Sequence, residues 1–534
     1  MLLRPYLLLA AIILIFRLVT ALPLERAGYM DASYTLHVGA NLARGRGLVQ
    51  DIVWNYLDEP KTLPEPSNLY WLPLPSFLAA ASMMLFGISY RAAQLPFIFL
   101  SLVPPLFAFY LARRIYQRDD YAWLAGLLTA FSGFYTIYWV SPDNFTPFAV
   151  TADLALLFLA LGVLTRAQKH FLIAGICIGF AQLARNDALL LMVVLPILLI
   201  VNWRLENTRN QIRFSIRAIF LACAGALVIL LPWLIRNWLA VGTLFAPGGT
   251  RALWLLSYDE FFSYDVARLS FSRYLDWGIG NILQSKFDAL VFGILVLLFG
   301  VWQIFLVPFA IVGFWKTRWR IEMQAALIYL ALLVLAMAFV FTFPAMHGSM
   351  LHSATALVTY GAVAVPSGLD AAIGWVAKWR RSWNAPQAQQ FFRAGTVVLA
   401  LGFSLYLYVQ AVWIPPAPNA TTPLWNDRDR EYQAMDQELD ALQVPNDSPI
   451  ITVDPPSFIN QTGRRSIYLP TESIAAIFDA ARQFGAHYLV LQFDKPATLH
   501  ALYDGRARVN GLIPLAATRD AVGHPVTLFE VQYK

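Results

Sequence analysis

The sequence predicts a polytopic α-helical membrane protein with a small C-terminal α/β domain outside the membrane. Of its 534 residues, 58% are hydrophobic and 13% are charged, whereas soluble domains carry about 25% charged residues. Many apolar runs approach the ~20 residues that a helix needs to cross a bilayer. After residue 424 the polarity becomes ordinary, and short helical and strand patterns replace the apolar runs. These three observations define the fold class.

Eleven segments are expected to be membrane spans, because each is apolar and close to the required length. The first resembles a signal sequence but has no clear small-residue cleavage site, so we expect it to remain as a span. The predicted spans are 5–22, 92–111, 121–140, 146–164, 171–184, 187–203, 216–234, 290–314, 324–343, 353–374 and 395–413.

Segment 70–87 is nearly long enough to cross the membrane, but the basic residues assign it to the interface. If it lies flat, every second loop is basic and cytoplasmic, as the positive-inside rule requires. Pro73 and Pro75 near its start also suit a short interfacial helix. We therefore expect a multi-pass protein of the plasma or inner membrane with a cytoplasmic N-terminus. The basic residues of the cytoplasmic loops are Arg113, Arg114, Arg118, Arg166, Lys169, Arg204, Arg209, Arg213, Arg217, Lys316, Arg318, Arg320, Lys378, Arg380, Arg381 and Arg393.

The chain divides into a membrane domain at 1–413, a polar, proline-bearing linker at 414–424 and an extracytoplasmic domain at 425–534. The first outer loop, 23–91, is expected to carry two interfacial helices. In the terminal domain the pattern predicts a helix in DREYQAMDQELDAL, a strand in SPIITVD, a helix in TESIAAIFDAARQFGA, a strand in HYLVLQF and a hairpin in LIPLAATRDAVGHPVTLFEVQY.

Charge and cysteine content exclude several other classes of protein. The formal net charge of +6 reflects basic loops that record topology, so no nucleic-acid partner is expected. Cys177 and Cys223 both lie in apolar runs, which favours buried thiols over a disulfide or a metal knuckle. No nucleotide-binding signature is present.

Ionisable residues gather at the outer ends of the predicted spans, although they come from distant parts of the chain. Because such groups are costly at membrane depth, each is a functional candidate. This distribution favours a polar site at the outer membrane boundary over a path through the midplane. Only Asp153 lies clearly deeper, about two turns into its span. The boundary residues are Asp31, Asp143, Arg185, Asp187, Arg236, His347 and His352.

Each of these residues also has a simpler interpretation. Asp31 and Asp143 are well placed to cap the helices that follow them. Arg185 and Asp187 can pair within the turn LARND, and Arg236 can snorkel beside aromatic residues. The two histidines of MHGSMLHS are five positions apart, which is wrong for one helical face and argues against a metal site there.

The order of motifs resembles the GT-C glycosyltransferases. An acid follows the first span in MDASYTLHVGANLARGRGL, and the interfacial segment YWLPLPSFLAAASMMLFGISYRAAQLP comes next. QLARNDALLLMVVLP and LPWLIRNWLAVGTLF then resemble the family's turn between the fifth and sixth spans and its large outer loop. The resemblance covers about 5–375 and is to the branch of the protein O-mannosyltransferases and lipid A aminoarabinose transferases (glycosyltransferase family 39). The terminal domain resembles small extracytoplasmic domains of bacterial members.

The resemblance implies roles for particular residues. The catalytic acid of the first outer loop matches Asp31. A second acid near the outer start of the fourth span matches Asp143 or Asp153, of which Asp143 is better placed at the boundary. Arg185 and Arg236 match the basic residues that hold the lipid phosphate, although several relatives have Lys where this chain has Arg185. Further candidates for substrate contact are Asp153, Asp187, Arg44, His347 and His352.

The implied reaction is transfer of a sugar from a polyprenyl-phosphate donor to an extracytoplasmic protein, lipid or glycan, with inversion and with Asp31 as general base. Aromatic residues in WNYLDEP and RALWLLSYDEFFSYD either stack on sugars or belong to the membrane belt. No cofactor is expected, and a divalent metal is compatible but not predicted. The alternatives are transfer of a whole glycan, a secondary transporter, or a non-catalytic scaffold whose terminal domain binds a partner. A transporter would predict an inverted repeat, and none is evident.

Overall fold

A computed structural model of the chain describes residues 3–203, 208–380, 383–414, 424–427, 430–520 and 523–533. Arg204 and Arg381, two of the basic loop residues, lie outside the described residues. So does most of the predicted linker, residues 415–423.

The described residues are mostly helical, with short 3-10 and π segments between the α-helices. The α-helices are α1 (Arg4–Ala21), α2 (Met30–Ala43), α3 (Leu74–Phe86), α4 (Tyr90–Leu100), α5 (Val103–Tyr116), α6 (Asp119–Ala130), α7 (Phe145–Thr165), α8 (Gln168–Ala184), α9 (Leu190–Val201), α10 (Thr208–Val241), α11 (Gly248–Arg251), α12 (Phe271–Asp276), α13 (Ile279–Leu295), α14 (Val307–Thr317), α15 (Ile321–Phe339), α16 (Thr342–Pro344), α17 (Met350–Ser353), α18 (Thr355–Trp379), α19 (Ala385–Val412), α20 (Leu424–Asp427), α21 (Arg430–Ala441), α22 (Pro455–Thr462), α23 (Ile474–Phe484) and α24 (His500–Tyr503). The strands are β1 (Val49–Gln50), β2 (Ile52–Val53), β3 (Glu65–Pro66), β4 (Ile450–Thr452), β5 (Ser466–Tyr468), β6 (Tyr488–Leu491), β7 (Leu512–Arg519) and β8 (Pro525–Val531).

Helices suited to crossing a membrane confirm the predicted fold class. Within the described ranges, eight helices are long and apolar enough to span, and a bent pair formed by Asp119–Ala130 and Gly133–Val140 makes a ninth. The predicted hairpin at 171–184 and 187–203 is formed by Gln168–Ala184 and Asn186–Val201. Both helices are shorter than the eight spanning helices.

The predicted continuous span over 290–314 is wrong, because the structure breaks it into Ile279–Val301 and Ile304–Thr317. The break lies at Gln303, whose φ of 47° is left-handed. The side chain of Gln303 is buried, and its amide donates to the carbonyl of Phe131 at 2.7 Å. Phe131 lies where the neighbouring pair bends by 70°. The Gln303 side chain therefore hydrogen-bonds the Phe131 carbonyl, which the bend leaves without a helical partner. A helix break at membrane depth requires such a partner, because lipid offers none.

Small residues let other membrane helices approach each other closely. A Cβ atom added to Gly175 of α8 would lie 2.0 Å from the carbonyl oxygen of Ala222 in α10. One added to Gly313 of α14 would lie 1.9 Å from that of Ala364 in α18. Such contacts are typical of helix packing in lipid, where association depends on close van der Waals contact.

The interfacial helices of the first outer loop are α2 and α3, close to the expected 31–46 and 70–87. The helix α3 is 13 residues long and begins just after Pro73, with Pro75 in its first turn. It packs on α2 where Gly39 meets Met83 and Ala79. Two short helices thus lie side by side after the first span, and their place at the outer boundary stays a prediction.

The terminal domain is a six-stranded sheet in the order β2-β5-β4-β6-β8-β7. Strands β2, β5, β4 and β6 pair in parallel, whereas β8 pairs antiparallel with both β6 and β7. The predicted strands and hairpin are present, but β5 and α22 were not expected. The edge strand β2 comes from the first outer loop, so the sheet is completed by the membrane domain.

The terminal domain is fixed against α2 by polar contacts as well as by this strand. The Ser33 and Ser457 hydroxyl oxygens lie 3.0 Å apart, and the Asn460 amide donates to the Ser33 carbonyl at 2.7 Å. An apolar core joins Tyr34 and Ile52 to Ile451 of the domain. The helix α22 is thereby held beside the first turn of α2.

Candidate active site

A cavity of about 130 Å³ lies where α2, the 185–187 turn, the large outer loop and the 344–352 segment meet. The ionisable residues that line it are Asp31, Arg185, Asp187, His347 and His352. All five belong to the predicted boundary set. The expectation that distant outer segments converge is therefore met for these residues.

Two carboxylates and an imidazole meet at one end of this cavity. The Nε2 atom of His352 lies 3.5 Å from Asp31 Oδ2, and Nδ1 lies 3.9 Å from Asp143 Oδ2. The His352 ring stacks on Phe145 with a centroid distance of 3.8 Å. Its Nδ1 is 2.6 Å from the Asn144 side-chain oxygen. Because that oxygen only accepts, Nδ1 carries the proton and the Nε2 lone pair faces Asp31.

Neither acid acts as a helix cap, so the simpler interpretations are wrong. The residue that caps α2 is Tyr29, without a side-chain bond, and Asp31 lies in the first turn. The cap of α7 is Asn144, again without a side-chain bond to the helix. Asp143 instead accepts a hydrogen bond from the Tyr29 hydroxyl at 3.0 Å and another from the backbone N–H of Asn144. Asp31 thus lines the cavity, whereas Asp143 is buried behind it beside His352.

The surroundings of these groups shift their proton affinities. Burial, followed by the negative charge of Asp143, raises the pKa of Asp31 well above its ordinary value, while Arg185 opposes the shift. Burial also raises the pKa of Asp143, although hydrogen bonds from Asn144 and Tyr29 limit the rise. The pKa of His352 is lowered well below its ordinary value by burial and then by Arg185. The surroundings therefore disfavour the charged imidazole of His352 and raise the proton affinity of Asp31.

Arg185 brings a positive charge to the lining of the cavity. Its Nε donates to Asp187 Oδ1 and to the Ser353 hydroxyl, each at 2.9 Å, and one terminal nitrogen donates to the Ser349 carbonyl at 3.3 Å. Arg185 and Asp187 thus form the expected pair within the turn, and both also line the cavity. Within the described residues, the Nη1 atom of Arg185 makes no hydrogen bond to protein. Asp187 fixes the guanidinium while leaving this edge available.

Aromatic side chains form the outer wall of the cavity. Trp54 stacks on Trp71 at 3.6 Å, and Tyr258 stacks on His347 at 3.8 Å. These rings and Phe261 line the cavity, and they include the aromatic residues singled out in WNYLDEP and RALWLLSYDEFFSYD. Flat apolar faces beside polar groups are suited to the faces of a sugar ring. Phe262 in turn stacks on Tyr468 of β5 at 3.8 Å, which connects this wall to the terminal domain.

Three predicted residues lie elsewhere. Arg236 donates to the Leu48 carbonyl at 3.0 Å and lies over the Trp233 ring, outside the lining of the cavity. Asp153 is buried within α7, where it accepts from Thr359 at 2.7 Å. Arg44 ends α2 and lines a different cleft. Their predicted substrate contacts remain predictions.

Sequence reasoning missed several residues that shape the site. Tyr29 and Asn144 hold Asp143, and Ser353 bonds both Arg185 and Asp187. Asn144 had a weak signal, since it follows Asp143 directly before a helix. Asp454 of the terminal domain acts electrostatically on Asp31, and no sequence pattern connects these two positions.

Asp31, Asp143 and His352 together offer the kinds of ligand atom that bind a divalent cation. One ligand atom each from Asp31, Asp143 and His352 lie within 4.8 Å of one another. Carboxylate oxygens and a neutral imidazole suit metals such as Mn²⁺ or Zn²⁺. The nearby guanidinium of Arg185 disfavours a further positive charge.

Comparison with known proteins agrees with this architecture. Residues 65–236 match the family model described as dolichyl-phosphate-mannose-protein mannosyltransferase. The structure is similar to ArnT from Cupriavidus metallidurans bound to undecaprenyl phosphate, with 13% identity and a TM-score of 0.57, over 99% of this chain and 98% of that one. It is also similar to the oligosaccharyltransferase of Archaeoglobus fulgidus, with 13% identity and a TM-score of 0.54, over 91% of this chain and 69% of that one. No curated protein sequence matches the chain.

The two structural similarities extend over nearly the whole chain and include the terminal domain, whereas the family model matches residues 65–236. The fold class and the family resemblance expected from the sequence are thereby confirmed. The chain has the fold of these two proteins and, over residues 65–236, resembles the mannosyltransferase family.

Proposed function

We propose that the protein transfers a sugar from a polyprenyl-phosphate donor to an acceptor outside the cytoplasm. The observation that carries this proposal is the convergence of Asp31, His352 and Arg185 on one cavity at the ends of the membrane helices. A similar fold binds undecaprenyl phosphate in ArnT and dolichol-phosphate in an archaeal oligosaccharyltransferase. A donor with an isoprenoid tail in lipid and a polar head at the surface fits that position.

Asp31 is the general base in this proposal. Its carboxylate takes the proton of the acceptor hydroxyl or amine as the freed lone pair attacks the anomeric carbon. The bond from that carbon to the phosphate oxygen breaks, and its electron pair leaves with polyprenyl phosphate. A single displacement of this kind inverts the anomeric centre. General-base catalysis is typically worth about 10²–10⁴-fold.

His352 and Asp143 position and tune this base. The neutral imidazole presents its lone pair to Asp31 at 3.5 Å, and the negative charge of Asp143 keeps the pKa of Asp31 high. Phe145 and Asn144 fix the ring of His352 by stacking and by a hydrogen bond. An oriented base of raised proton affinity is better matched to an alcohol or amine acceptor than an exposed carboxylate.

Arg185 receives the departing phosphate. Its guanidinium is fixed by Asp187 and Ser353, so little rearrangement is needed when negative charge develops on the leaving group. Arg236, the other predicted phosphate ligand, lies outside the cavity and is assigned a role in holding the first outer loop through Leu48.

The outer face of the cell or inner membrane is the proposed location of the site, with the N-terminus in the cytoplasm. The basic loops support this orientation through the positive-inside rule. A cysteine-accessibility assay on the terminal domain in intact cells checks it. Labelling of that domain only after the membrane is permeabilised would contradict the orientation.

The test of the function is mass spectrometry of envelope lipids, glycans and proteins from a deletion strain. We expect one sugar modification to disappear, to return with the wild-type chain and to stay absent with Asp31→Asn. The matched control is Asp288→Asn, which removes an exposed acid on α13 that bonds Gln284. Return of the modification with Asp31→Asn at normal membrane levels would contradict the role of Asp31. A wild-type strain without any added sugar would contradict the function.

A further inference from the structure

A second, more open cleft lies at the other end of α2. It has a volume of about 620 Å³ and is bounded by α2, the 88–90 segment before α4, and the terminal domain. Its charged residues are Arg44, Arg46, Asp51, Asp447 and Arg465. Asp31 and Arg44 are about 20 Å apart along the helix at ~1.5 Å per residue. The cleft is therefore too distant to hold the phosphate of a donor whose sugar is at Asp31.

Two arginines in this cleft are available for a ligand. Arg46 is fully engaged, since it donates to Asp51 at 2.6 and 2.8 Å and to Asn41 at 2.9 Å. The side chain of Arg44 makes no hydrogen bond to the part of the chain that the structure describes. Arg465 approaches Asp51 only at 3.7 Å, beyond hydrogen-bond distance. Among the described residues, the guanidinium of Arg44 thus has no carboxylate partner, and that of Arg465 has only a long ion pair with Asp51.

Glycines close to these arginines in the sequence set the course of the chain on both sides of the cleft. In NLARGRG, Gly45 and Gly47 have φ values of 77° and 80°, which glycine adopts without strain and which turn the chain back after α2. On the other wall, Gly463 ends α22 with a φ of 74°. Arg464 follows it and is fully buried between Asp436 and Asp440. This buried arginine anchors its neighbour Arg465 at the cleft.

An exposed apolar surface adjoins the cleft at the membrane boundary. At the end of α3 and just after it, Met84, Leu85, Phe86 and Ile88 are 61%, 78%, 68% and 43% exposed. Arg91, one turn further along, donates to the carbonyls of Ala21 and Leu22 at the outer end of the first span. This position places the apolar side chains at the lipid surface. A ligand of the cleft therefore meets lipid on one side and arginine on the other.

We propose that this cleft binds the phosphate head group of an anionic membrane lipid from the outer half of the bilayer. The chains of the lipid lie against the exposed side chains of α3, and its phosphate lies between Arg44 and Arg465. Paired arginines suit phosphate oxygens because each guanidinium offers two parallel donors. The site goes beyond sugar transfer, and it assigns Arg44 to a lipid other than the donor.

Lipid bound here joins α2 to the terminal domain. Arg44 belongs to the membrane domain, and Arg465 belongs to the terminal domain, whose Tyr468 stacks on Phe262 next to the wall of the catalytic cavity. A shared phosphate between them holds the two parts together at the end of α2 remote from Asp31. Occupancy of the cleft is therefore expected to raise the melting temperature of the whole chain.

The test is binding of short-chain phosphatidylglycerol to the purified full-length chain in neutral detergent, followed by native mass spectrometry and thermal unfolding. We expect phosphatidylglycerol to bind at least about tenfold more tightly than phosphatidylcholine. Arg44→Gln combined with Arg465→Gln should weaken binding about 30-fold, since each basic residue near a membrane surface contributes about fivefold. Arg44→Lys combined with Arg465→Lys should retain most of it. Arg482→Gln, which removes an exposed arginine of the same domain paired with Asp479, is the control and should bind like wild type.

A variant that binds more tightly distinguishes loss of the site from misfolding, because a misfolded chain would not gain affinity. Asp447 lines the cleft, so Asp447→Asn should tighten phosphatidylglycerol binding a few-fold by removing a like charge. Equal binding by the wild type and the double glutamine variant would overturn the proposal, as would weaker binding by Asp447→Asn. Inorganic phosphate that binds as tightly as phosphatidylglycerol would overturn the lipid as the source of the phosphate. Because lipid binding is measured without sugar transfer, the result is independent of the proposed catalytic role of Asp31.

Discussion

The two ends of α2 carry opposite arrangements of charge. At its start, Asp31 lies in a narrow cavity with a second acid and a neutral imidazole, and a single guanidinium fixed by Asp187 faces them. Near its end, Asp51 is neutralised by Arg46 at 2.6 Å, and an open cleft is lined by Arg44 and Arg465, whose side chains make no hydrogen bonds to the described residues. A buried carboxylate of raised pKa, such as Asp31, is suited to proton transfer. A carboxylate that is already ion-paired, such as Asp51, is suited to a structural role.

The pKa shifts express the same difference. Burial and the charge of Asp143 raise the pKa of Asp31. Burial alone would also raise the pKa of Asp51, but its hydrogen bond to Arg46 and the charges of His37 and Arg46 together lower it. The same type of side chain is thus the proposed base near one end of α2 and a paired anion of lowered pKa near the other.

The largest effect outside Asp31 itself is expected for Arg185→Gln. Loss of the charge that receives the phosphate should lower kcat/KM about 10²-fold, as for other preorganised anion-binding groups. Because Arg185 lowers the pKa of Asp31, the acidic limb of the pH profile should also move to higher pH. Steady-state kinetics over a pH range measure both effects. An unchanged limb together with unchanged kcat/KM would remove Arg185 from the site.

Asp143→Asn should have a smaller effect on rate and an opposite effect on pH dependence. A deprotonated Asp31 is the active form, so activity falls as the pH drops below its raised pKa. Without the negative charge of Asp143 that pKa decreases, and the acidic limb should move to lower pH. The pH profile of kcat checks this shift. A limb that moves to higher pH would contradict the coupling between the two acids.

At the other end of α2, Asp51→Asn should act mainly on stability. It removes the ion pair with Arg46, and because that guanidinium is 41% exposed and re-solvated by water, the cost is about 1 kcal/mol. Because the pKa of Asp51 is lowered by folding, the stability it contributes is present above the ordinary aspartate pKa and is lost as the pH falls through the folded value. Thermal unfolding in detergent at neutral and acidic pH measures the difference, which should shrink in acid. A melting temperature equal to that of the wild type at neutral pH would contradict the assignment.

The smallest effect is expected from metal removal. Arg185 already provides positive charge beside the three-residue group that resembles a metal site, so treatment with a chelator should change transfer by less than about twofold. The assay is transfer before and after chelation, with Mn²⁺ and Zn²⁺ added back. Loss of transfer that is restored by one metal would assign Asp31, Asp143 and His352 as its ligands.

The sequence was sufficient to predict the fold class and the five acidic, basic and histidine residues that line the cavity. Apolar runs define the helices, and the basic loops place Asp31, Arg185, Asp187, His347 and His352 at one face. Which boundary residues touch depends on helix packing, which composition does not encode. Arg236 belongs to the same face but lies against Leu48, and His352 rather than His347 contacts the acids.

Local sequence patterns could not predict the pairing of distant strands or the break within a membrane helix. The edge strand β2 has only two residues, and its partner β5 lies at the opposite end of the chain. The break at Gln303 interrupts an apolar run without any proline or glycine at the turn itself, because a buried amide bond to Phe131 stabilises it. Such features arise from tertiary contacts that override a local pattern.

The most direct test of the catalytic end of α2 uses purified chain in liposomes with a polyprenyl-phosphate sugar and measures release of polyprenyl phosphate. Asp31→Asn is expected to lower the rate at least about 10²-fold while the donor still binds, since Arg185 and the aromatic wall are unchanged. Release at the wild-type rate by Asp31→Asn would contradict the central claim that Asp31 is the base.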